Sequence, residues 1–225
     1  MATAADVVKI AQSWVGYSEA NGKFKTIIDI YNAYTPRARG YRVQYSDEWC
    51  ATFVSACAIK ANAIKIIPLE CSCNYMISAF KSIGCWVEND AYIPSAGDII
   101  FYDWQDTGAG DNRGSSDHVG IVEAVDNGYI TVIEGNKNEI VARRKIKVNG
   151  RYIRGYGVPK YDKATKPELK ETIAKIDYYG VISGCKAINK DGENFVNLRE
   201  FCDIVGLKVD NYDKDTKIIT LKIKG

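Results

Sequence analysis

Apolar positions recur with helical spacing over the first 85 residues and alternate between about residues 98 and 158. From Asp6 to Val15 the apolar side chains are Val7, Val8, Ile10, Ala11, Trp14 and Val15. That is the spacing of a helix with one buried face, and Gly16 is a natural stop. A second helical stretch runs near Lys23 to Tyr34. It ends before Pro36 because the residue preceding a proline avoids the helical region. The segment from Thr35 to Ser46 carries Arg37, Arg39 and Arg42 and reads as a solvated basic loop. A third helix begins near Trp49, with Ser46 or Asp47 as its cap and Glu48 in its first turn. Its body, Cys50 to Ala63, is apolar on most sides and predicts a buried helix. Asn74 to Ile83 predicts a fourth, stopped by Gly84.

Beyond Gly84 the period changes to two. Pro94 to Gly97 is a turn and Asp98 to Trp104 a strand, followed by a loop rich in Gly, Asp and Ser from Gln105 to Asp117. His118 to Val125 and Tyr129 to Glu134 form two strands joined by Asp126-Asn127-Gly128, and Asn-Gly between alternating runs predicts a hairpin. Further strands are expected at Ile140 to Val148 and Ile153 to Val158. Helices followed by a meander of strands make an α+β domain over residues 1–160. Lys160 to Pro167 has linker composition, and Glu168 to Lys175 reads as a short helix, so 161–175 is assigned as linker and short helix. Residues 176–225 form a small α+β unit, with helical spacing at Leu198 to Val205 and a strand at Ile218 to Ile223.

Composition narrows the chemistry. The chain has 225 residues, 46% hydrophobic and 26% charged, with a net charge of +2. These are globular proportions, and the charge gives no basis for nucleic-acid binding driven by counterion release. No apolar run reaches the roughly 18 residues of a membrane-spanning helix, so membrane insertion is not expected. Asp6 and Lys9 interrupt the apolar residues of the amino terminus, which lacks the core of a signal peptide. Synthesis in the cytoplasm is therefore the expectation, with release needed for any action outside it.

There are seven Cys and one His. An odd Cys count without a signal peptide argues against a full disulfide framework. A single His excludes any site built on two imidazoles, and any Cys–His pair must use His118. Cys50 stands in the first turn of the third helix, where unpaired N–H groups and the helix dipole favour a thiolate. Cys57 lies two turns further into the apolar helix and reads as a buried small hydrophobe. Cys71, Cys73 and Cys85 fall in or near loops, and a zinc site built from them would lack a fourth ligand. Cys185 and Cys202 in the tail read as packed core thiols.

Hairpin geometry supplies the rest. A three-residue loop at Asp126-Asn127-Gly128 would pair Val125 with Tyr129, residue 120 with 134 and 118 with 136. His118, Glu134 and Asn136 would then share one face, with Gly120 leaving room for the Glu134 side chain. A two-residue loop would reverse that parity. Cys50 would attack as thiolate, His118 would carry the proton, and Glu134 or Asn136 would orient the imidazole. Trp104, at a strand end, is the best candidate for a substrate groove. Trp49 and Tyr102 are weighed for the same groove against a place in the core.

These residues resemble a known family. Asp47-Glu48-Trp49-Cys50-Ala51-Thr52-Phe53-Val54, Pro94 to Trp104, Asp117 to Glu123 and Val132 to Asn136 resemble, in order and spacing, the motifs of CHAP domains, the cysteine, histidine-dependent amidohydrolase/peptidases. The likeness spans roughly residues 5 to 160. It implies a papain-like fold of the NlpC/P60-CHAP type and hydrolysis of an amide bond in bacterial peptidoglycan. It also implies Cys50 as nucleophile, His118 as base, Glu134 as third member and Asn136 as auxiliary polar residue. NlpC/P60 hydrolases generally use a second His, which this chain lacks. Some phage members bind calcium ahead of the nucleophile, but Arg42 to Glu48 has no Asp-x-Asp pattern, so no metal and no cofactor are expected.

In the tail, Asn194 to Phe201, Val205 to Val209 and Lys217 to Leu221 resemble the copper amine oxidase N-terminal-like, or stalk, domain, without implying copper. Wall targeting or self-association is the expected role of that unit. A catalytic domain followed by a small domain resembles a phage endolysin. Two other readings stand beside this one. One is a glycan-cleaving, lysozyme-type hydrolase using two carboxylates. The other is a non-catalytic wall-binding module in which Cys50 is structural. Amidase and endopeptidase action use the same machinery, and the sequence leaves that choice open.

Overall fold

The structure, a computed structural model, describes residues 2–108, 112–162, 171–178, 181–190, 193–196, 201–202, 206–212 and 219–223. The chain divides into two compact units, Met1–Ala164 and Thr165–Gly225.

In the first unit, α1 (Ala4–Ser13) is set by a capping box: Thr3 Oγ1 accepts from the Asp6 N–H, and the Asp6 carboxylate accepts from the Thr3 N–H. Then come α2 (Phe24–Ala33), a short 3₁₀ turn (Ala38–Gly40), α3 (Cys50–Lys60) and α4 (Cys73–Ser82). Helix α3 is buried from Cys50 through Ala58, as its nearly unbroken apolar sequence requires. Gly84, at φ +64°, follows α4 as expected.

The strands are β1 (Trp86–Val87), β2 (Ile99–Tyr102), β3 (His118–Asp126), β4 (Tyr129–Glu134), β5 (Ala142–Lys147) and β6 (Ile153–Gly157). They form one antiparallel sheet in the order β1-β6-β2-β3-β4-β5. Strands β2 to β5 are the expected meander, whereas β6 returns to the far side of β2. The fold is α+β, helices against an antiparallel sheet.

Both faces of the sheet are covered. Phe101, Val119, Ile121 and Ile133 pack with α1 to α4 in the larger core. Ile100, Tyr102, Val122, Ile130, Val132, Ile153 and Tyr156 form a second cluster. That is why β2, Ile-Ile-Phe-Tyr, is apolar at every position and buried throughout.

The hairpin register is reached by a route the sequence does not announce. The loop has two residues, Asn127-Gly128, and Asp126 pairs with Tyr129. Both loop residues have positive φ, +48° and +77°, the geometry of a two-residue hairpin turn. A bulge at Glu123 then shifts the ladder, so that Val122 faces Val132 and Ile121 faces Ile133. The turn changes the parity and the bulge restores it. His118, Gly120 and Glu134 therefore share a face after all.

In the second unit, β7 (Glu171–Tyr178), β8 (Val181–Lys190) and β9 (Glu193–Val196) form an antiparallel sheet, and β10 (Leu207–Tyr212) pairs with β11 (Ile219–Ile223). The expected helix at Glu168 to Lys175 is corrected: from Glu171 onward the chain is strand. Thr172, Ile173 and Ile176 are β-branched and favour an extended chain once β8 is there to pair with them. The helix expected at Leu198 to Val205 falls mostly outside the described residues. Of that stretch Phe201 and Cys202 are described, both helical. Most of the Lys160 to Pro167 linker lies outside them too.

Candidate active site

The amino terminus of α3 carries the nucleophile candidate. Trp49 is its N-cap residue, and no side chain caps the helix. The expected caps are thus corrected. Asp47 instead accepts from the Gln44 N–H at 2.8 Å and the Tyr41 hydroxyl at 2.9 Å, closing the turn before the helix. Glu48 stands outside the helix and accepts from Asn136 Nδ2. The first-turn N–H groups are left for the site, and that of Ala51 favours the charged form of Cys50.

Cys50 is buried, with 6% of its surface exposed. Its Sγ lies 3.7 Å from Cys73 Sγ, and its thiol also interacts with the His118 imidazole. The bond with Cys73 does most to hold the Cys50 thiol well below its ordinary range; burial opposes this, and His118 and the Ala51 N–H reinforce it. Cys73 is pushed the other way, by its bond to Cys50 and by burial. Of the two, Cys50 is the more acidic and Cys73 the less acidic.

His118 opens β3 opposite Tyr102. Its Nε2 is 3.2 Å from Glu134 Oε2, which leaves Nδ1 for Cys50. Burial works against a charge on His118, but its bonds to Cys50 and Glu134 outweigh burial and raise it to about 9. Glu134 is fully buried. Burial favours its neutral form, yet the bonds from His118 and Arg144 hold it below the usual carboxylate range. Arg144 Nε donates to Glu134 Oε1 at 2.6 Å. Gly120 makes this packing possible: a Cβ there would stand 2.8 Å from Glu134 Cγ and 2.6 Å from Val132 Cγ1.

A cleft of ≈ 470 Å³ opens beside His118. Trp104, Arg144 and Tyr152 line it, together with Asn136, Lys137 and Asn138 from the β4–β5 connection. Asn136 and Asn138 hold φ values of +55° and +53°, a conformation asparagine tolerates better than most residues. Trp104 is 38% exposed, its ring stacked at 5.0 Å on Tyr102 and its face 5.0 Å from the Arg144 guanidinium.

The structure brings Cys50, His118 and Glu134 together: His118 is hydrogen-bonded to Glu134 and interacts with the Cys50 thiol. It places Asn136 on the cleft wall, bonded to Glu48 and not to the imidazole. Trp104 faces the cleft. Trp49 and Tyr102 do not: both are fully buried, and this corrects their assignment to the groove. Trp49 packs at 5.7 Å on Phe24 and donates to Glu19 Oε1 at 3.0 Å. Tyr102 sits beneath Trp104.

The sequence reading missed Arg144 and Cys73. Arg144 is a cation on a strand whose partner, Val132, stands two residues from Glu134 on the same face, so strand pairing could have found it. Cys73 depends on how α3 and α4 converge, for which the sequence holds no sign. Among the described residues, no group of three or more His, Cys, Asp or Glu is arranged to hold a metal, and no helix is long and apolar enough to cross a membrane.

None of the curated proteins compared with the chain matches it. Among solved structures, one titled "The crystal structure of Ly7917" is similar at 15% identity, with a TM-score of 0.33, over 77% of this chain and 66% of that one. The chain thus spans just under two thirds of that protein's resolved length. The stretch from residue 40 to residue 136, which holds Cys50, His118, Glu134, Asn136 and Trp104, matches the family model described as CHAP domain.

Proposed function

We propose that the first unit is a cysteine amidohydrolase that cleaves an amide bond of bacterial peptidoglycan. The observation that carries the reading is the meeting of Cys50, His118 and Glu134 beside an open cleft, within the stretch that matches the CHAP domain. The lowered pKa of Cys50 and the raised pKa of His118 favour a thiolate–imidazolium pair. The thiolate attacks the substrate carbonyl carbon, and the oxyanion that develops is met by N–H groups at the start of α3. His118 gives its proton to the departing amine, leaving a thioester on Cys50. It then takes a proton from water, which attacks the thioester and frees the carboxylic acid and Cys50. Glu134 stays ionised and holds the imidazole by Nε2, as the third member of a triad does. Arg144 fixes the second Glu134 oxygen.

The reading extends to a phage-type endolysin whose second unit, residues 165–225, targets the wall or self-associates. Two units in one chain, with the candidate site wholly in the first, support that division of labour.

The test is mass spectrometry of purified peptidoglycan digested by wild type and by Cys50→Ala. New amino termini with wild type alone are expected, and fragment masses then separate amidase from endopeptidase. Equal release by both proteins would remove Cys50 as nucleophile. New reducing sugar ends would point to glycan cleavage, and wall binding without cleavage to a binding module.

A further inference from the structure

Cys73 forms no covalent bond in the hydrolytic cycle, yet it touches the reacting atom. Cys50 opens α3 and Cys73 opens α4, and the two sulfurs meet at 3.7 Å, which is van der Waals contact. Both are unpaired thiols, 6% and 7% exposed. Nothing lies between them. Their small exposure leaves little room for a bulky reagent, whereas a molecule as small as hydrogen peroxide needs little more room than water.

We propose that Cys50 and Cys73 form a redox pair, in which hydrogen peroxide converts the nucleophile reversibly to a Cys50–Cys73 disulfide and so switches the site off. The Cys50 thiolate attacks one peroxide oxygen. The O–O bond breaks, hydroxide leaves and takes up a proton as water, and Cys50 becomes a sulfenic acid. The Cys73 sulfur then attacks the Cys50 sulfur. The S–S bond forms, the S–O bond breaks, and the Cys73 proton leaves with the hydroxyl as a second water. Two thiols lose two electrons and two hydrogens, and peroxide gains them.

To form the bond the sulfurs must close from 3.7 Å to about 2.05 Å. That is a movement of about 1.7 Å shared between two side chains at two helix starts. The charge states suit the sequence of steps. The thiol whose pKa is lowered reacts first, and its raised neighbour is the poorer nucleophile toward peroxide until the sulfenic acid forms beside it. The pair also protects Cys50, because a sulfenic acid captured by a thiol does not go on to the irreversible sulfinic and sulfonic acids.

Cys71 is the competitor. It is more exposed than Cys73, but its sulfur accepts from Arg39 Nη2 at 3.4 Å and lines a separate cavity with Arg39 and Tyr41. Its proximity in sequence does not place it against Cys50.

The inference requires only a reactive Cys50, so it can be tested without peptidoglycan. The full-length protein is reduced, freed of reductant, treated with a small excess of hydrogen peroxide, trapped with N-ethylmaleimide and mapped by tandem mass spectrometry. A Cys50–Cys73 cross-link two hydrogens lighter than the dithiol is expected, reversed by dithiothreitol. In Cys73→Ala, Cys50 is expected to pass to sulfinic and sulfonic acid, which dithiothreitol does not reverse. Cys73→Ser serves the same purpose if the alanine variant folds poorly, and the wild-type map stands without either. A cross-link from Cys50 to Cys71, over-oxidation of Cys50 in wild type, or an unreacted Cys50 would each overturn the proposal. A cross-link in a protein that shows no hydrolysis would uphold the pair and overturn the amidohydrolase reading.

Discussion

Glu134→Gln removes the anion behind His118 and keeps the shape of the side chain. In the folded protein His118 stands at about 9 against an ordinary 6.5. At 1.36 kcal/mol per pH unit, that rise is worth ~3 kcal/mol in favour of the imidazolium. It is what remains after burial has worked the other way, and Cys50 and Glu134 supply it between them. Cys50 is the larger contributor, so loss of Glu134 is expected to lower His118 by about one pH unit. The alkaline limb of kcat/KM, which follows loss of the imidazolium proton, should move from about 9 toward about 8.

Stability shifts in the same sense. A folded-state value above the unfolded one stabilises the protein fully below about 6.5, and that contribution is lost as pH rises through 9. The variant should therefore lose more stability at pH 6 than at pH 10. The assay is the rate of release of new amino groups from purified peptidoglycan between pH 5 and 10.5, with thermal unfolding followed over the same range. An alkaline limb that stays in place while activity persists would show that Glu134 does not act through His118.

Three further perturbations follow from the packing. Gly120→Ala drives a Cβ to within 2.6 Å of Val132 and 2.8 Å of Glu134; we expect ~1–3 kcal/mol of destabilisation in denaturant titration and a fall in kcat as Glu134 is displaced from His118. Ser55→Ala removes a buried hydroxyl that donates to the Glu70 carbonyl and accepts from its N–H at 2.9 Å; two orphaned backbone groups should cost ~2–4 kcal/mol, seen as a lowered Tm with little change in kcat for the folded fraction. Trp104→Ala opens the cleft wall and removes a ring 6.0 Å from that of His118, but no hydrogen bond to either Cys50 or His118; KM should rise several-fold while the rate of Cys50 alkylation by iodoacetamide stays within about twofold, since a contact that binds ground and transition states alike acts on KM. An alkylation rate that collapsed with it would place Trp104 in the thiol's own environment.

The helices α1 to α4 and the strands β2 to β6 were legible because their apolar spacing is local and each element buries what the spacing says it should. Cys50 and His118 were legible for a different reason: one imidazole leaves one possible partner, and a helix start favours one cysteine. Glu134 was found by counting through a three-residue turn, and the count came out right although the turn has two residues. The Glu123 bulge supplied the missing step, and nothing in Val122-Glu123-Ala124 marks it. Trp49 and Tyr102 are buried because the cores on the two sides of the sheet claim them, which strand periodicity alone cannot decide. Arg144 and Cys73 are contacts between elements and become visible once the elements are assembled. The error at Glu171 to Lys175 has the same origin: a stretch read as a short helix becomes a strand when a neighbour offers a ladder.

The bulge of the β3–β4 hairpin gives the site an unexpected tolerance. Glu123 is the residue of β3 that the ladder skips: Ala124 faces Thr131 and Val122 faces Val132 on either side of it. Deleting Glu123 alone would join Val122 to Ala124 in regular alternation, and Ile121 and Val122 would keep the partners they have now. A residue added within the Asn127-Gly128 turn is likewise taken up by the loop while Asp126 still pairs with Tyr129. A deletion between His118 and Val122 has no such slack: it would turn His118 to the side of the sheet opposite Glu134 and strip it of its support. A protein engineer could therefore change length at the bulge or at the turn, but not in the stretch of β3 that carries the imidazole.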